Sequence, residues 1–145
     1  MLLFLMFALM AGVVLPVQAG VNAQLRSTLG SPLAAALVSF IVGTAGLLGL
    51  VAVLQVPLPV GSAWGRSPGW HWVGGLLGAA YVAIATVVAP RLGAATLVAA
   101  VVAGQMLTSV VLDQYGLIGY PPHPLTAARA LGVVLVIGGV LLIQR

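Results

Sequence analysis

Residues 69–112 form one apolar run in which Arg91 is the only charged side chain. The whole chain of 145 residues shares this character, because 62% of it is hydrophobic and only 4% is charged, against roughly 25% charged residues in a soluble domain. So few charges cannot build the water-facing surface of a folded soluble monomer. The composition therefore excludes soluble enzymes and disordered tails, and it predicts an integral membrane protein.

The charged and reactive side chains that are present exclude further classes. The net charge of +4 comes from five single arginines and one aspartate, so no basic cluster is available to bind nucleic acid. Cysteine is absent, which removes disulfides and thiolate chemistry. The chain also lacks the pair of acidic residues that acid–base catalysis uses. We therefore expect no enzyme activity, no metal site and no cofactor.

Five segments are long and apolar enough to cross a membrane, because a spanning helix needs about 20 apolar residues. The expected spans are residues 2–25, 32–56, 69–89, 92–112 and 125–143. The turn at 29–32 supplies Ser31 as a helix N-cap and Pro32 as the first helical residue. A turn at Pro90-Arg91 must divide the long apolar run, which otherwise exceeds the thickness of a bilayer. The sequence predicts an all-α membrane protein with five transmembrane helices in a single domain, residues 1–145.

The first span also contains a segment that resembles a signal-peptidase site, at residues 17–20. A secretory signal normally begins with positive residues, whereas the first arginine here is Arg26. We therefore expect an uncleaved first span.

The arginines bear on the orientation in the membrane. Alternating spans place Arg26, Arg91 and Arg145 on one side and Arg66 and Arg129 on the other. The positive-inside rule favours a cytoplasmic location for the first group, with the N-terminus outside. A difference of one arginine is a small bias, so the sequence permits both orientations.

Glycines mark the faces on which the helices are expected to pack. Helices in lipid associate through small residues that let their backbones approach closely. Packing within one subunit and contact between subunits both explain these glycines. The packing candidates are Gly43, Gly46, Gly74, Gly75, Gly78 and Gly132.

Polar side chains inside the spans are few, and each is costly unless it faces a partner or a wet cavity. Gln18 and Asn22 are four residues apart on the first span, and Gln105, Ser109 and Asp113 repeat at the same spacing on the fourth. Each set lies on one helix face. The amides either join helices through hydrogen bonds or line a cavity.

Asp113 and Arg129 are expected to be partners at one surface of the membrane. Asp113 ends the fourth span, and Arg129 lies about one turn into the fifth. The pair is either structural or involved in gating and coupling. Arg129 alternatively extends to the membrane surface, as long cationic side chains near helix ends do.

Several motifs along the chain together resemble one known family. They run from the first span to the C-terminus: Pro16-x-Gln18-x-x-x-Asn22, Leu29-Gly30-Ser31-Pro32, Trp72-Val73-Gly74-Gly75, Pro90-Arg91-Leu92-Gly93, Gly104-Gln105, Asp113-x-x-Gly116-Leu117-x-Gly119 and Leu125-Thr126-x-x-Arg129. This order resembles the five-helix YdcZ-like, EamA-related branch of the drug/metabolite transporter (DMT) superfamily. The resemblance implies a secondary transporter of the plasma (inner) membrane.

The resemblance also implies an assembly. Larger relatives are ten-helix chains of two inverted five-helix repeats, so this chain corresponds to one half. We expect an antiparallel, dual-topology dimer, formed with a second copy or with a five-helix paralogue, that surrounds a central cavity in the lipid bilayer.

Alternating access to a midplane site would then move small metabolites. The cavity candidates are Gln18, Asn22, Gln105 and Ser109, and the coupling or gating candidates are Asp113 and Arg129. Because the first span carries amides and no carboxylate, the cavity suits neutral, zwitterionic or anionic solutes better than organic cations. The alternative function is a non-transporting accessory or assembly subunit whose polar stripes only hold helices together.

Overall fold

The computed structural model describes residues 2–58 and 68–144. These residues form four long helices and no strand. The helices are α1 (Leu2–Leu29), α2 (Pro32–Val53), α3 (Val73–Tyr115) and α4 (Ala127–Ile143). Short 3-10 turns, Gly69–Trp72 and Leu117–Gly119, precede and follow α3. Arg66 and Arg145, two of the five arginines used for orientation, lie outside the described residues.

The turn between α1 and α2 confirms the prediction made for residues 29–32. Gly30 has a φ of 71°, a left-handed conformation that glycine adopts without strain, and its amide donates to the Arg26 carbonyl oxygen at 2.8 Å. Ser31 Oγ accepts a hydrogen bond from the Ala34 amide at 3.3 Å, and Pro32 is the first helical residue. Both ends of the turn are therefore capped by local sequence.

Helix α3 is interrupted three residues after the proline at which a turn is predicted. Pro90 lies inside the helix, and the non-helical backbone is at Gly93, with φ 75° and ψ 164°. Proline fits a helical φ near −65°, whereas only glycine takes up the Gly93 conformation at low cost. The described residues therefore contain four long helices where five were expected, and this helix count does not confirm five spans.

The helices carry apolar side chains on their outer surfaces. Three segments, Leu2–Leu29, Pro32–Val53 and Gly69–Tyr115, are long and apolar enough to cross a membrane, and the apolar helix Ala127–Ile143 is shorter. Large hydrophobic side chains are widely exposed, including Phe4 at 75%. Such a surface requires lipid around it. The fold is that of an all-helical membrane protein.

The chain divides into two compact units, residues 1–90 and 91–145. In the first unit the buried apolar residues are small, including Ala19 on α1 and Ala35 and Ala36 on α2. Alanine at these positions lets the helix backbones approach closely, which is how helices pack in lipid. Two polar residues of this unit are also buried, Asn22 and Thr86.

Candidate functional site

A narrow crevice between α1 and α3 contains the two polar residues predicted on the first span. Gln18 and Asn22 face it from α1 and Tyr81 faces it from α3, and the other lining residues are apolar. Asn22 is only 4% exposed, and Gln18 is half-buried. The volume in which the centre of a water molecule can lie is ≈ 10 Å³, about the volume that one bound water requires.

The crevice is polar but uncharged. An asparagine amide carries two donor hydrogens and one acceptor oxygen, and a tyrosine hydroxyl can donate or accept. Asn22 and Tyr81 thus offer hydrogen bonds within an apolar bundle, where such bonds are scarce. The arrangement can hold a water molecule or a small polar group, and it has no carboxylate to balance a cation.

Arg26, one turn beyond Asn22, reaches from α1 to the backbone of α3. Its Nη1 donates to the carbonyl oxygens of Thr86 and Val87 at 3.4 and 3.5 Å. The side chain is half-buried. These distances are longer than the usual 2.7–3.2 Å of an N–H···O bond, so each contact is weak.

Pro90 explains why a carbonyl is available to Arg26. In a helix the amide at position 90 would donate to the Thr86 carbonyl, and proline has no amide hydrogen. Thr86 itself is fully buried and its Oγ1 donates to the Val82 carbonyl oxygen at 2.7 Å. Arg26 therefore supplies a donor to the carbonyl that Pro90 leaves unpaired.

The second unit brings Asp113 and Arg129 together. A guanidinium nitrogen of Arg129, Nη2, forms an ion pair with Asp113 Oδ2, and Nη1 donates to the His123 carbonyl oxygen at 2.7 Å. The two charged side chains are 25% and 34% exposed, so water screens the pair in part. The partnership expected from the sequence is present, and its part in gating or coupling stays a prediction.

The loop between α3 and α4 is held by further hydrogen bonds. The His123 amide donates to the Asp113 carbonyl oxygen, and the Leu125 amide donates to Gln114 Oε1, each at 2.7 Å. Thr126 Oγ1 caps α4 by accepting from the Arg129 amide at 3.3 Å. Together with the ion pair, these bonds tie the C-terminal end of α3 to the N-terminal end of α4.

The remaining cavity candidates, Gln105 and Ser109, belong to the second unit. Both lie on α3 beyond Gly93 and both are exposed. The structure thus gathers Gln18 with Asn22 in one unit. The cavity role of all four residues stays a prediction.

The predicted packing glycines differ in their surroundings. A Cβ placed on Gly78 would lie 3.5 Å from the Phe40 ring, an ordinary packing contact between α3 and α2. At the other five candidates an added Cβ meets nothing within 4 Å: Gly43, Gly46, Gly74, Gly75 and Gly132. A packing role for these glycines stays a prediction.

Three residues of these sites were not predicted from the sequence as site residues. Tyr81 carries a hydroxyl inside an apolar span, which is itself a signal of a polar partner or cavity. Arg26 and Thr86 are 60 residues apart. The Thr86-x-x-x-Pro90 spacing indicates an unpaired carbonyl, but it does not identify the donor.

A short motif of serine hydrolases also occurs, because residues 65–69 fit the spacing Gly-x-Ser-x-Gly. In those enzymes the serine lies on a turn from strand to helix and works with a histidine and an acid. The only acidic side chain of this chain, Asp113, is paired with Arg129. Most of the motif lies outside the described residues, and we assign it no role.

The long apolar helices and their lipid-facing surface define a multi-pass membrane protein. Comparison with protein families gives the particular group: residues 3–142 match the family described as "Putative inner membrane exporter, YdcZ". The chain belongs to this family, which confirms the resemblance found in its motifs and places it in the plasma (inner) membrane. No curated protein and no solved structure matches the chain.

Proposed function

We propose that the chain is a secondary transporter that exports small metabolites by alternating access. Asn22 supports this function most directly, because its side chain is polar, only 4% exposed, and lines a polar crevice between two apolar helices. Polar side chains at membrane depth are costly unless they face a partner or a wet cavity, and the crevice at Asn22 supports the second of these. The description of the family as inner membrane exporters supports the same direction of transport.

The proposed transporter chain crosses the membrane five times. Helix α3 has 43 residues, which at 1.5 Å per residue is about 65 Å, twice the roughly 30 Å of a hydrocarbon core. It therefore contains two crossings, and the non-helical backbone at Gly93 divides them. Helix α4 has 17 residues, the lower end of the spanning range.

The transporter is an antiparallel dimer of two copies inserted in opposite orientations. The crevice beside Asn22 admits about one water, so it cannot by itself hold a metabolite. A second copy would complete a larger cavity, as the second repeat does in inverted-repeat transporters. The nearly balanced arginines permit both orientations. The open space at Gly43, Gly46, Gly74 and Gly75 leaves close-approach faces available to the partner.

The substrates are neutral, zwitterionic or anionic rather than organic cations. The residues that line the crevice include two amides and one hydroxyl but no carboxylate. The single acidic side chain, Asp113, forms an ion pair with Arg129. That ion pair joins the ends of two helices, so opening and closing it is the proposed gating step.

Export by cells and efflux from liposomes test this function together. We would compare metabolites released by cells producing the wild-type chain, Asn22→Ala or Gln24→Ala. Gln24 is the matched control, because it is an exposed polar residue on the same helix that does not line the crevice. Solutes released by the wild type would then be loaded into proteoliposomes for an efflux assay. A quaternary ammonium compound would be loaded and assayed separately.

The proposal expects efflux by the wild type and Gln24→Ala, and at least tenfold slower efflux by Asn22→Ala at unchanged dimer content. Loss of assembly in Asn22→Ala, with no solute released by any variant, would instead favour the accessory subunit. Proton-coupled efflux of the quaternary ammonium compound would contradict the assigned substrate class.

A further inference from the structure

The first unit contains a second concave surface, separate from the crevice. It is an open groove of ≈ 270 Å³, close to the lower limit of about 300 Å³ for small-molecule pockets. Its lining is entirely apolar: Pro32, Leu33, Ala83, Ile84, Val87 and Val88. None of these residues lines the crevice at Asn22, so the groove is a separate surface.

One residue, Val87, connects the groove with the Arg26 guanidinium. Val87 lines the groove and its carbonyl oxygen accepts a hydrogen bond from Arg26 Nη1 at 3.5 Å. The groove residues from α2 are the first two of that helix, and Arg26 lies in the last turn of α1. Both features thus lie near the point where α1 ends and α2 begins, and we expect this level at the membrane surface because the predicted first span ends at residue 25.

The charge of Arg26 has no carboxylate side chain to balance it within the chain. Asp113 is the only acidic residue, and it pairs with Arg129. The two contacts of Arg26 with carbonyls use one of its terminal nitrogens and are long. A guanidinium has five N–H donors arranged to bind phosphate oxygens in pairs. A phosphate from outside the chain would therefore complete this site.

We propose that this groove binds one anionic phospholipid, whose phosphate contacts Arg26 and whose acyl chain lies along the groove. The apolar groove matches the acyl chain of such a lipid, and the unbalanced charge of Arg26 matches its phosphate. A soluble phosphate would leave the apolar lining unused, and a second copy of the chain would bring no acid to Arg26, because its own aspartate is paired. The site is independent of the proposed transport function.

Native mass spectrometry of the purified protein tests the site with two lipids of identical acyl chains, phosphatidylglycerol and phosphatidylcholine. We expect preferential retention of phosphatidylglycerol by the wild type. Arg26→Gln should weaken that retention about tenfold, the size of a lost charge-assisted hydrogen bond, and remove the preference. Arg26→Lys keeps the charge and should retain most of it, which separates headgroup binding from a folding defect. Arg91→Gln is the charge control, because it removes one arginine from the other unit.

A second pair of variants tests the groove. Ile84→Trp fills it, and Leu77→Trp makes a matched change on the same exposed face of α3, two turns away. Ile84→Trp should reduce retention of both lipids at least fivefold, and Leu77→Trp should not. Equal retention of the two lipids by the wild type, or retention unchanged in Arg26→Gln, would overturn the proposal. The proposal would also be overturned if glycerol phosphate displaced the bound lipid as strongly as free lipid does, or if Ile84→Trp changed the dimer content alone.

Discussion

Arg26 Nη1 lies 3.4 Å from the carbonyl oxygen of Thr86, the carbonyl that Pro90 leaves without a helical donor. A side chain on α1 thus replaces a backbone hydrogen bond that is missing from α3. The contact connects two helices in a bundle where most other contacts are apolar. From the sequence, Arg26 indicates only the orientation of the chain in the membrane. In the structure it contacts a residue that is 60 positions away in the sequence.

A double-mutant cycle tests this relationship. Arg26→Met keeps most of the unbranched apolar stem of the side chain but removes the donors, so it should lower the free energy of unfolding by about 1 kcal/mol. In a Pro90→Ala background the same change should cost clearly less, because residue 90 then donates to Thr86. Unfolding in micelles of increasing SDS content, without anionic lipid, measures both. An equal cost in the two backgrounds would show that Arg26 does not serve this carbonyl.

The loop between α3 and α4 should depend more on Arg129 than on Asp113. Arg129→Met removes two interactions, with the Asp113 carboxylate and the His123 carbonyl, and should cost about 1–2 kcal/mol. Asp113→Asn keeps an acceptor oxygen in a pair that water screens, so its cost should stay below about 1 kcal/mol. The same SDS titration compares them. A larger loss in Asp113→Asn would mean that the ion pair dominates.

Gly116 should be the least replaceable glycine of this loop. Its φ is 60°, and an added Cβ would lie 2.9 Å from Pro122 Cγ. Gly119 has a φ of 84° but open space around the Cβ position. Gly119→Ala should therefore cost about 1 kcal/mol of backbone strain, and Gly116→Ala about 1–2 kcal/mol more through overpacking. Equal unfolding midpoints for the two variants would contradict the packing at Pro122.

The exposed glycine face of α2 should affect association rather than folding. Gly46→Leu and Gly12→Leu each add the same side chain where nothing lies within 4 Å. Only Gly46 belongs to the predicted packing face, so only Gly46→Leu should reduce the dimer fraction, at least threefold, with both monomers folded. The dimer fraction is measured by cross-linking through a single cysteine introduced near the middle of a span, where two antiparallel copies meet at the same depth, in a naturally cysteine-free chain. Similar dimer fractions in the two variants would remove the glycine face from the interface.

Local chemistry made some elements predictable from the sequence. Ser31 and Pro32 are capping residues whose role depends only on their neighbours, and the structure confirms it. The pairing of Asp113 with Arg129 followed from a chain with a single acid and a nearby arginine across a short loop. The apolar runs predicted a helical membrane protein, because the thickness of the bilayer fixes the length of a spanning helix.

Other features depend on tertiary contacts or on backbone choices that composition does not reveal. The interruption of α3 falls at Gly93 rather than at Pro90-Arg91, since proline fits inside a helix if its lost hydrogen bond is replaced. Arg26 supplies that replacement from another helix. Tyr81 joins Gln18 and Asn22 only because α1 and α3 pack together.

As the proposed half of an inverted-repeat exporter, the chain needs an oppositely inserted copy to complete it. Single cysteines at Ser27 and, separately, at Gln144 would report the same side of the membrane, because four crossings separate them in the five-span account. An impermeant thiol reagent applied to intact cells should label about half of each variant, since both orientations coexist. Labelling of all or none of the protein would establish a single orientation and contradict the antiparallel dimer of identical copies.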